Sequence, residues 1–489
     1  MKEDRELAEP VADYRMNRRE FLKTTGSGIF LFFTIGELPL LQQEGTGRRM
    51  GRGLPSDFNA FLKIAEDGRV TCYTGKIEMG QGPVTSLAQE LAEELDVRLE
   101  AVEMVMGDTD LCPWDMGTFG SMTTRFFGPA LRAAGAEAQQ VLIQLASEQL
   151  NVAVADLRVE NGVVFHTKDT NRRISFGQLA KGKKIERHLT GITPKKVSEF
   201  KIMGKPALRR DAEAKVTGKA QYAGDVRLPG MLYAKVLRPP AHGAKLLEAD
   251  LSEAKKVDGA LVIQDGDLIA VLHKYPDVAE MALEKVRARY DRPRTGIDDT
   301  NICDHLLKVA PEGRVIANGG DIHQGEKLAS AVVESTYLDG YVAHAPIEPH
   351  AALVKIEGDR ATIWASTQTP FPAKDEAAAV LGLKAENVRV IPPFLGGGFG
   401  GKSAGLQIME AARLAKLSGK PVQVAWSRKE EFFYDSFRPA AVVRIKSGVD
   451  AEGKVSFWDY HVYFAGERGS QQFYDIPHHA TTVYNASWV

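Results

Sequence analysis

Val388-Arg389-Val390-Ile391-Pro392-Pro393-Phe394-Leu395 runs into Gly396-Gly397-Gly398-Phe399-Gly400-Gly401-Lys402-Ser403, and apolar residues then recur at Leu406, Met409, Ala412 and Leu417. A β-branched run, a glycine loop and a helical period in that order set bare backbone N–H groups at a helix entrance, the arrangement that cradles a phosphate. Two patterns are satisfied at once. Gly396, Gly398 and Gly401 fit the dinucleotide fingerprint, and Gly396 with Gly401-Lys402-Ser403 fits the Walker form, so each match loses information.

Context weighs against both. A nucleotide hydrolase needs a second strand ending in Asp to hold magnesium, but the next apolar run, Pro421 to Trp426, ends in Ser427 and Arg428. A dinucleotide fold expects an acid about twenty residues on, and Lys420 stands in that neighbourhood. A glycine turn required only for close packing is the plainer alternative, although a turn needs fewer small residues than this.

A second strand, loop and helix spans Cys72 to Leu95 around Gly75-Lys76-Ile77-Glu78-Met79-Gly80-Gln81-Gly82-Pro83. Gln81 lies between two glycines at the mouth of a helix, where a side-chain amide can meet a polar ligand edge. Two such loops in one chain point to a large cofactor with several contacts.

The 489 residues are 44% apolar and 26% charged, and 62 Lys+Arg against 64 Asp+Glu leave a formal charge of -2. These proportions exclude disorder, collagen and coiled coil, and no basic block marks a nucleic-acid surface. The length predicts about three domains. Cys72, Cys112 and Cys303 lie too far apart for a local thiolate cage, so an iron–sulfur cluster is not expected within this chain.

Residues 1–50 read as an address and linker. Arg18-Arg19-Glu20-Phe21-Leu22-Lys23 precedes the apolar stretch Gly28 to Leu41, which matches a twin-arginine export signal and predicts a periplasmic protein. Gly36 and Glu37 interrupt the apolar run and no small-x-small cleavage site follows. The alternative is a basic N-terminus whose apolar residues cover a neighbouring surface.

Beyond the linker, Phe58 to Ile64 and Arg69 to Thr74 predict a hairpin around Asp67-Gly68, and helices are predicted over Pro83 to Leu95 and Pro129 to Leu150. Short strands are expected at Leu157 to Phe165, around Asn161-Gly162, and at Arg173 to Leu179. Lys181 to Lys201 reads as a connecting loop. Strands at Met231 to Leu237, Ala260 to Gln264 and Leu268 to His273 precede an amphipathic helix over Asp277 to Tyr290, and Val442 to Lys446 with Val455 to Phe464 predict an antiparallel meander.

Five segments together resemble the large, molybdenum-cofactor-binding subunit of the xanthine dehydrogenase and aldehyde oxidoreductase family, in a branch similar to the isoquinoline oxidoreductase beta subunit. They are Glu78 to Gly82, Gly218 to Asp225 leading into Leu228-Pro229-Gly230, His344-Ala345-Pro346-Ile347-Glu348-Pro349-His350, Thr367-Gln368-Thr369, and Gly396 to Lys402. The resemblance implies a multidomain α+β fold: a molybdopterin-contacting segment at 57–200, a hammerhead α/β domain at 212–295 and a truncated molybdopterin-binding domain at 330–489. It assigns Gly80, Gln81 and Gly82 to cofactor binding. It matches Gln368 to a glutamine that hydrogen-bonds a molybdenum ligand, and Gly397, Gly398, Phe399 and Gly400 to the loop beside metal and pterin. The implied cofactor is molybdopterin with molybdenum, in its cytosine dinucleotide form, and the protein supplies no metal ligand. The implied reaction is attack of a metal-bound hydroxide on an electron-poor carbon of an aldehyde or N-heteroaromatic, with hydride transfer. Implied partners are a small 2Fe-2S subunit, a cytochrome c acceptor and a separate C-terminal half.

The family's catalytic glutamate, the general base, is expected beyond Val489, and so is an arginine-bearing glycine segment. Ser403 stands where xanthine-acting members carry a substrate-contacting glutamate, which disfavours purines. These departures leave open a fragment, a split subunit, a catalytically inactive cofactor-binding remnant and, further off, a nucleotide-dependent dehydrogenase. His344, Glu348 and His350 could be drawn as metal ligands, but Pro346 and Pro349 prevent a helix from aligning them, and a turn with satisfied polar groups is expected. His478-His479 reads as surface, and Glu430-Glu431 as a solvated helix face.

Overall fold

Asp67-Gly68 closes the expected hairpin: Ala60–Ala65 pairs antiparallel with Val70–Thr74, Leu62 opposite Cys72. The computed structural model describes residues 28–33, 60–181, 184–185, 192–293, 296–464 and 469–484. Arg18-Arg19 and the Gln42 to Ser56 linker lie outside them. The described residues form two units. The first takes its residues from the stretch up to Leu237, from Ala249–Arg287 and from Pro346–Glu431, and the second from Arg238–Glu248, Ala288–Ala345 and Phe432 onward.

In the first unit the hairpin sits in a five-stranded sheet with Gly28–Phe33, Lys184–Ile185 and the parallel strand Val102–Met106. Two helices cover it. Helix α1 (Pro83–Leu95) starts where Pro83 needs no N–H partner and ends at Asp96 in the left-handed conformation, and helix α2 (Gly128–Leu150) follows a π turn at Thr123–Phe127. Leu87, Leu91 and Leu95 of α1 meet Leu131, Val141 and Leu142 of α2 over Leu62 and Ile64 in one core, each such side chain worth ~1.5–3 kcal/mol of burial.

The opposite, polar side of α1 clasps the segment from Lys195 to Asp211. Glu93 Oε2 accepts the N–H groups of Lys201, Ile202 and Met203 at 2.8, 2.6 and 3.0 Å. Gln89 Nε2 donates to the Ile202 and Lys205 carbonyls, Thr85 Oγ1 accepts Arg210 N–H, and Arg132 pairs with Glu94. The Lys-rich connection is therefore a strap running antiparallel along the helix.

A second sheet of this unit has seven strands in the order Leu261–Asp265, Leu268–His273, Leu232–Val236, Val422–Ala425, Ala351–Glu357, Arg360–Ala365, Val388–Ile391. Leu232 pairs in parallel with Val422, and Ala361 in parallel with Val388. Helices α3 (Pro370–Leu381) and α4 (Leu406–Ser418) bury alanine-rich faces, with Ala377, Ala378, Ala411, Ala412 and Ala415 in the interior.

The second unit is built on a five-stranded sheet in the order Arg314–Gly319, His478–Tyr484, Val455–Tyr463, Ala441–Val449, Ala331–Asp339. The expected meander is antiparallel, but Val455–Tyr463 and His478–Tyr484 run parallel. Helix Ile302–Val309 packs Ile302 and Leu306 against Val442 and Tyr463.

Two expected elements differ. Arg173 to Leu179 is a strand only as far as Ser175. There Ser175 Oγ accepts Gln178 N–H and Gln178 reaches back to Ser175 N–H, a capping box that starts the one-turn helix Phe176–Ala180. The helix at Pro276–Leu283 stops short, and Arg287–Asp291 is a strand whose residues alternate exposed and half-buried, a period of two that the helical reading overran.

Candidate functional site: two glycine loops joined through Gln368

The loop between Val70–Thr74 and α1 is shaped from within. Gly80 and Gly82 take positive φ of 105° and 94°, and the Glu78 carboxylate accepts Gly80 and Gly82 N–H on Oε1 (2.7 and 3.2 Å) and Val84 N–H on Oε2 (3.1 Å). The helix entrance expected to offer bare donors is thus capped by the loop's own acid. The Gln81 amide also folds back: Oε1 accepts Met79 N–H at 2.7 Å and Nε2 donates to the Ile77 carbonyl at 3.3 Å. Among the described residues a Cβ built on Gly80 or Gly82 would meet nothing within 4 Å, which leaves the outer side of this turn open with respect to them. Arg209, held by Asp211, donates to the Gly80 carbonyl at 2.6 Å.

Thr118 ties this loop to Gln368. Thr118 Oγ1 accepts Ile77 N–H (2.8 Å) and Thr118 N–H donates to the Gln368 carbonyl (2.9 Å), while Gln368 Nε2 donates to the Thr118 carbonyl (2.7 Å). Beside it, Lys76 Nζ is buried between Asp115 (2.9 Å) and the Gly117 carbonyl (3.0 Å). Gln368 Oε1 then accepts Gly400 N–H at 2.9 Å. One hydrogen-bonded chain thus runs from Gln81 through Ile77, Thr118 and Gln368 to Gly400.

The second loop is tight on its inner side. A Cβ on Gly398 would lie 2.5 Å from Gln368 Oε1, and one on Gly396 would lie 2.6 Å from Glu348 Cβ. Phe399 has φ of 57° and is 72% exposed, a left-handed conformation that costs a non-glycine residue ~1–2 kcal/mol and so must be imposed by its surroundings. Among the described residues nothing accepts the N–H groups of Gly397, Gly398 and Phe399, although both glycines are buried. Lys402 is 0% exposed with Nζ 2.7 Å from Glu348 Oε2. A Walker lysine must reach its ligand, so the nucleotide-hydrolase reading fails here on geometry.

Of the residues singled out, Gln368, Gly398 and Gly400 are in direct contact, Gly397 and Phe399 share their loop, and Gly80, Gln81 and Gly82 join through Thr118. The residues missed are Thr118, Lys76 with Asp115, and Glu78 as a cap. Glu348 and His350 do not converge as ligands, since each has its own partner: Lys402 for the first, Glu431 for the second. Glu431 is a correction to the solvated-face reading, being 1% exposed. Burial raises its pKa, but the His350 hydrogen bond and charge outweigh that and hold it below the ordinary carboxylate range.

Two molybdopterin cofactor-binding domain families match the sequence, over residues 308–484 and 6–220. A nicotinate dehydrogenase subunit of Pseudomonas putida is 30% identical over 83% of this chain and 35% of its own length. The beta subunit of isoquinoline 1-oxidoreductase from Brevundimonas diminuta is 27% identical over 89% of this chain and 62% of its own. Quinoline 2-oxidoreductase from Pseudomonas putida 86 superimposes with a TM-score of 0.48 at 18% identity, covering 57% of this chain and 44% of that one. The chain spans about a third of the first relative and about three fifths of the second.

Proposed function

The chain belongs to the xanthine dehydrogenase family of molybdopterin cofactor-binding proteins, and from that premise we propose that the loops joined through Gln368 hold a molybdenum-bearing pterin in an oxidoreductase acting on aldehydes or N-heteroaromatics. The observation that carries the reading is the hydrogen-bonded run from Gln81 to Gly400, which makes one wall of segments far apart in sequence.

The residues present fit such a group. Gly397, Gly398 and Phe399 offer three consecutive backbone donors without an acceptor among the described residues, matched to the electron-rich edge of a pterin. Gly80 and Gly82 leave the other turn open to close backbone approach. The exposed Phe399 ring supplies a flat apolar surface for a planar ligand. Gln368 uses one Nε2 hydrogen on Thr118 and keeps a second for a ligand oxygen. When bound, the cofactor supplies the two-electron oxidation of an electron-poor carbon. The chain's part is to fix the position and tilt of that group and to keep water off its inner side. At the exposed Ser403 there is no carboxylate to engage a purine, which favours aldehydes and N-heteroaromatics.

The cytosine dinucleotide form, a 2Fe-2S subunit, a cytochrome c acceptor and twin-arginine export to the periplasm complete the proposal. Both relatives are themselves named as subunits, which supports further chains; cell fractionation of the wild type and of an Arg18→Lys/Arg19→Lys variant tests export. The central test is metal and pterin analysis of the full chain purified from cells that make molybdenum cofactor. Near-stoichiometric molybdenum is expected, falling ~10-fold in Gln368→Ala. A wild-type chain without molybdenum or pterin sinks the reading.

A further inference from the structure

The segment from His344 to His350 supplies two residues behind the Gly396–Gly401 loop. Glu348 grips both loop ends: its N–H donates to the Gly396 carbonyl at 3.1 Å, and its Oε2 accepts Gly396 N–H at 2.9 Å and Lys402 Nζ at 2.7 Å. Two residues on, His350 is 1% exposed, with Nε2 3.3 Å from the Gly401 carbonyl and Nδ1 3.0 Å from Glu431 Oε1. Its own N–H donates to Glu431 Oε2 at 2.9 Å, and its ring lies 4.6 Å from that of Trp426. Both ring nitrogens thus face oxygen atoms, one on Glu431 and one on Gly401.

This network secures the ends of the loop and leaves its middle unsatisfied. Gly396, Gly400 and Gly401 are bonded to Glu348, Gln368 and His350, whereas the N–H groups of Gly397, Gly398 and Phe399 meet no acceptor among the described residues. A network that served stability alone would pair the N–H groups of the two buried glycines, Gly397 and Gly398, which are the costly ones to leave unpaired. A glycine loop also loses the most conformational freedom on ordering, and anchors meet that cost before a ligand arrives.

We propose that Glu348 and His350 are positioning residues that hold this loop in a ligand-ready form, keeping three adjacent donors away from internal acceptors. The proposal rests on the cofactor-binding reading above. Its test uses the full chain made in cells with and without molybdenum-cofactor synthesis, as wild type, His350→Gln, and the near-isosteric Glu348→Gln, which keeps an acceptor for Gly396 but loses the ion pair. In cofactor-free protein, amides of the loop peptide should exchange ~10-fold faster in both variants while those of α1 keep their wild-type rates. In the cofactor-making cells molybdenum retained after gel filtration should fall about tenfold in His350→Gln and less in Glu348→Gln. Wild-type loop exchange with wild-type molybdenum in both variants overturns the proposal, and so does acceleration that extends equally through α1, which marks general fold residues. A wild-type chain devoid of molybdenum defeats the parent reading instead, and the exchange rates of the cofactor-free proteins still decide whether the clamp exists.

Discussion

Gly398 and Gly80 are both glycines in candidate ligand loops, yet their surroundings predict different responses to alanine. At Gly398 the new methyl would strike Gln368 Oε1, 2.5 Å away, and push off the amide that holds Gly400. Gly398→Ala should therefore lower stability by ~2–4 kcal/mol and abolish cofactor retention. At Gly80 no described residue would lie within 4 Å of the new methyl and only the φ of 105° resists, so Gly80→Ala should cost ~1–2 kcal/mol and keep most of the cofactor. Urea titration and molybdenum content check both. Glu90 gives a prediction in pH. It is 5% exposed, its Oε2 has no hydrogen-bond partner among the described residues, and burial raises its pKa from 4.5 to about 7, with Arg132 opposing and Glu94 adding to the rise. The folded protein thus keeps a proton that the unfolded chain releases near 4.5. Stability should fall as pH rises from 4.5 to 7, by up to about 3 kcal/mol, and level off above. Glu90→Gln should flatten that slope, and urea midpoints measured across this range for both proteins decide it. The glycine loops stood out in the sequence because bare backbone at that density has few other uses, whereas Gln368 was picked out only through the family resemblance. Thr118 was not, since its partners Ile77 and Gln368 stand 41 and 250 positions away and no local spacing encodes such a meeting.

Helix α1 was legible on one side only. Its apolar face, Leu87, Leu91 and Leu95, follows the helical period and sits in the core. Its polar face also reads as a period, but nothing in the residue order marks Glu93 and Glu94 as 1% exposed under the strap. Three N–H groups converging on one Glu93 oxygen are charge-assisted, and removing the charge weakens all three together. Glu93→Gln should cost ~2–4 kcal/mol and raise hydrogen exchange across residues 195–205 before any other part of the first unit responds. Uniform acceleration across α1 and α2 would show that the strap is not a separate element. The overrun helix after Pro276 and the capping box at Ser175 have a common cause: in short segments a period of two and a period of 3.6 share several positions, and a single hydrogen-bonding side chain then decides.

For the whole molecule, the class, mixed helix and strand, and the run of local elements could be read from residue patterns, but not which strands adjoin. Nothing in Leu232–Val236 announces Val422–Ala425 as its neighbour, because parallel pairing leaves no turn signal. A polypeptide ending at Ala345 should lose protection throughout Leu232–Val236 and Leu268–His273, which would be left with an open edge. The sheet around Ala60–Ala65, with α1 and α2 over a core of its own, should keep near-native exchange. Loss of both regions together would mean that the first unit folds as a single cooperative body.

The union of Leu232 with Val422 also sets a timetable for synthesis. At ~5–20 residues per second, a ribosome needs ~10–40 s to travel from one strand to the other, and for that interval the nascent chain carries an unfinished, aggregation-prone border. The cell must shield that border until the later strand has been translated, so the yield of usable protein should follow the supply of chaperones more closely than the strength of the promoter.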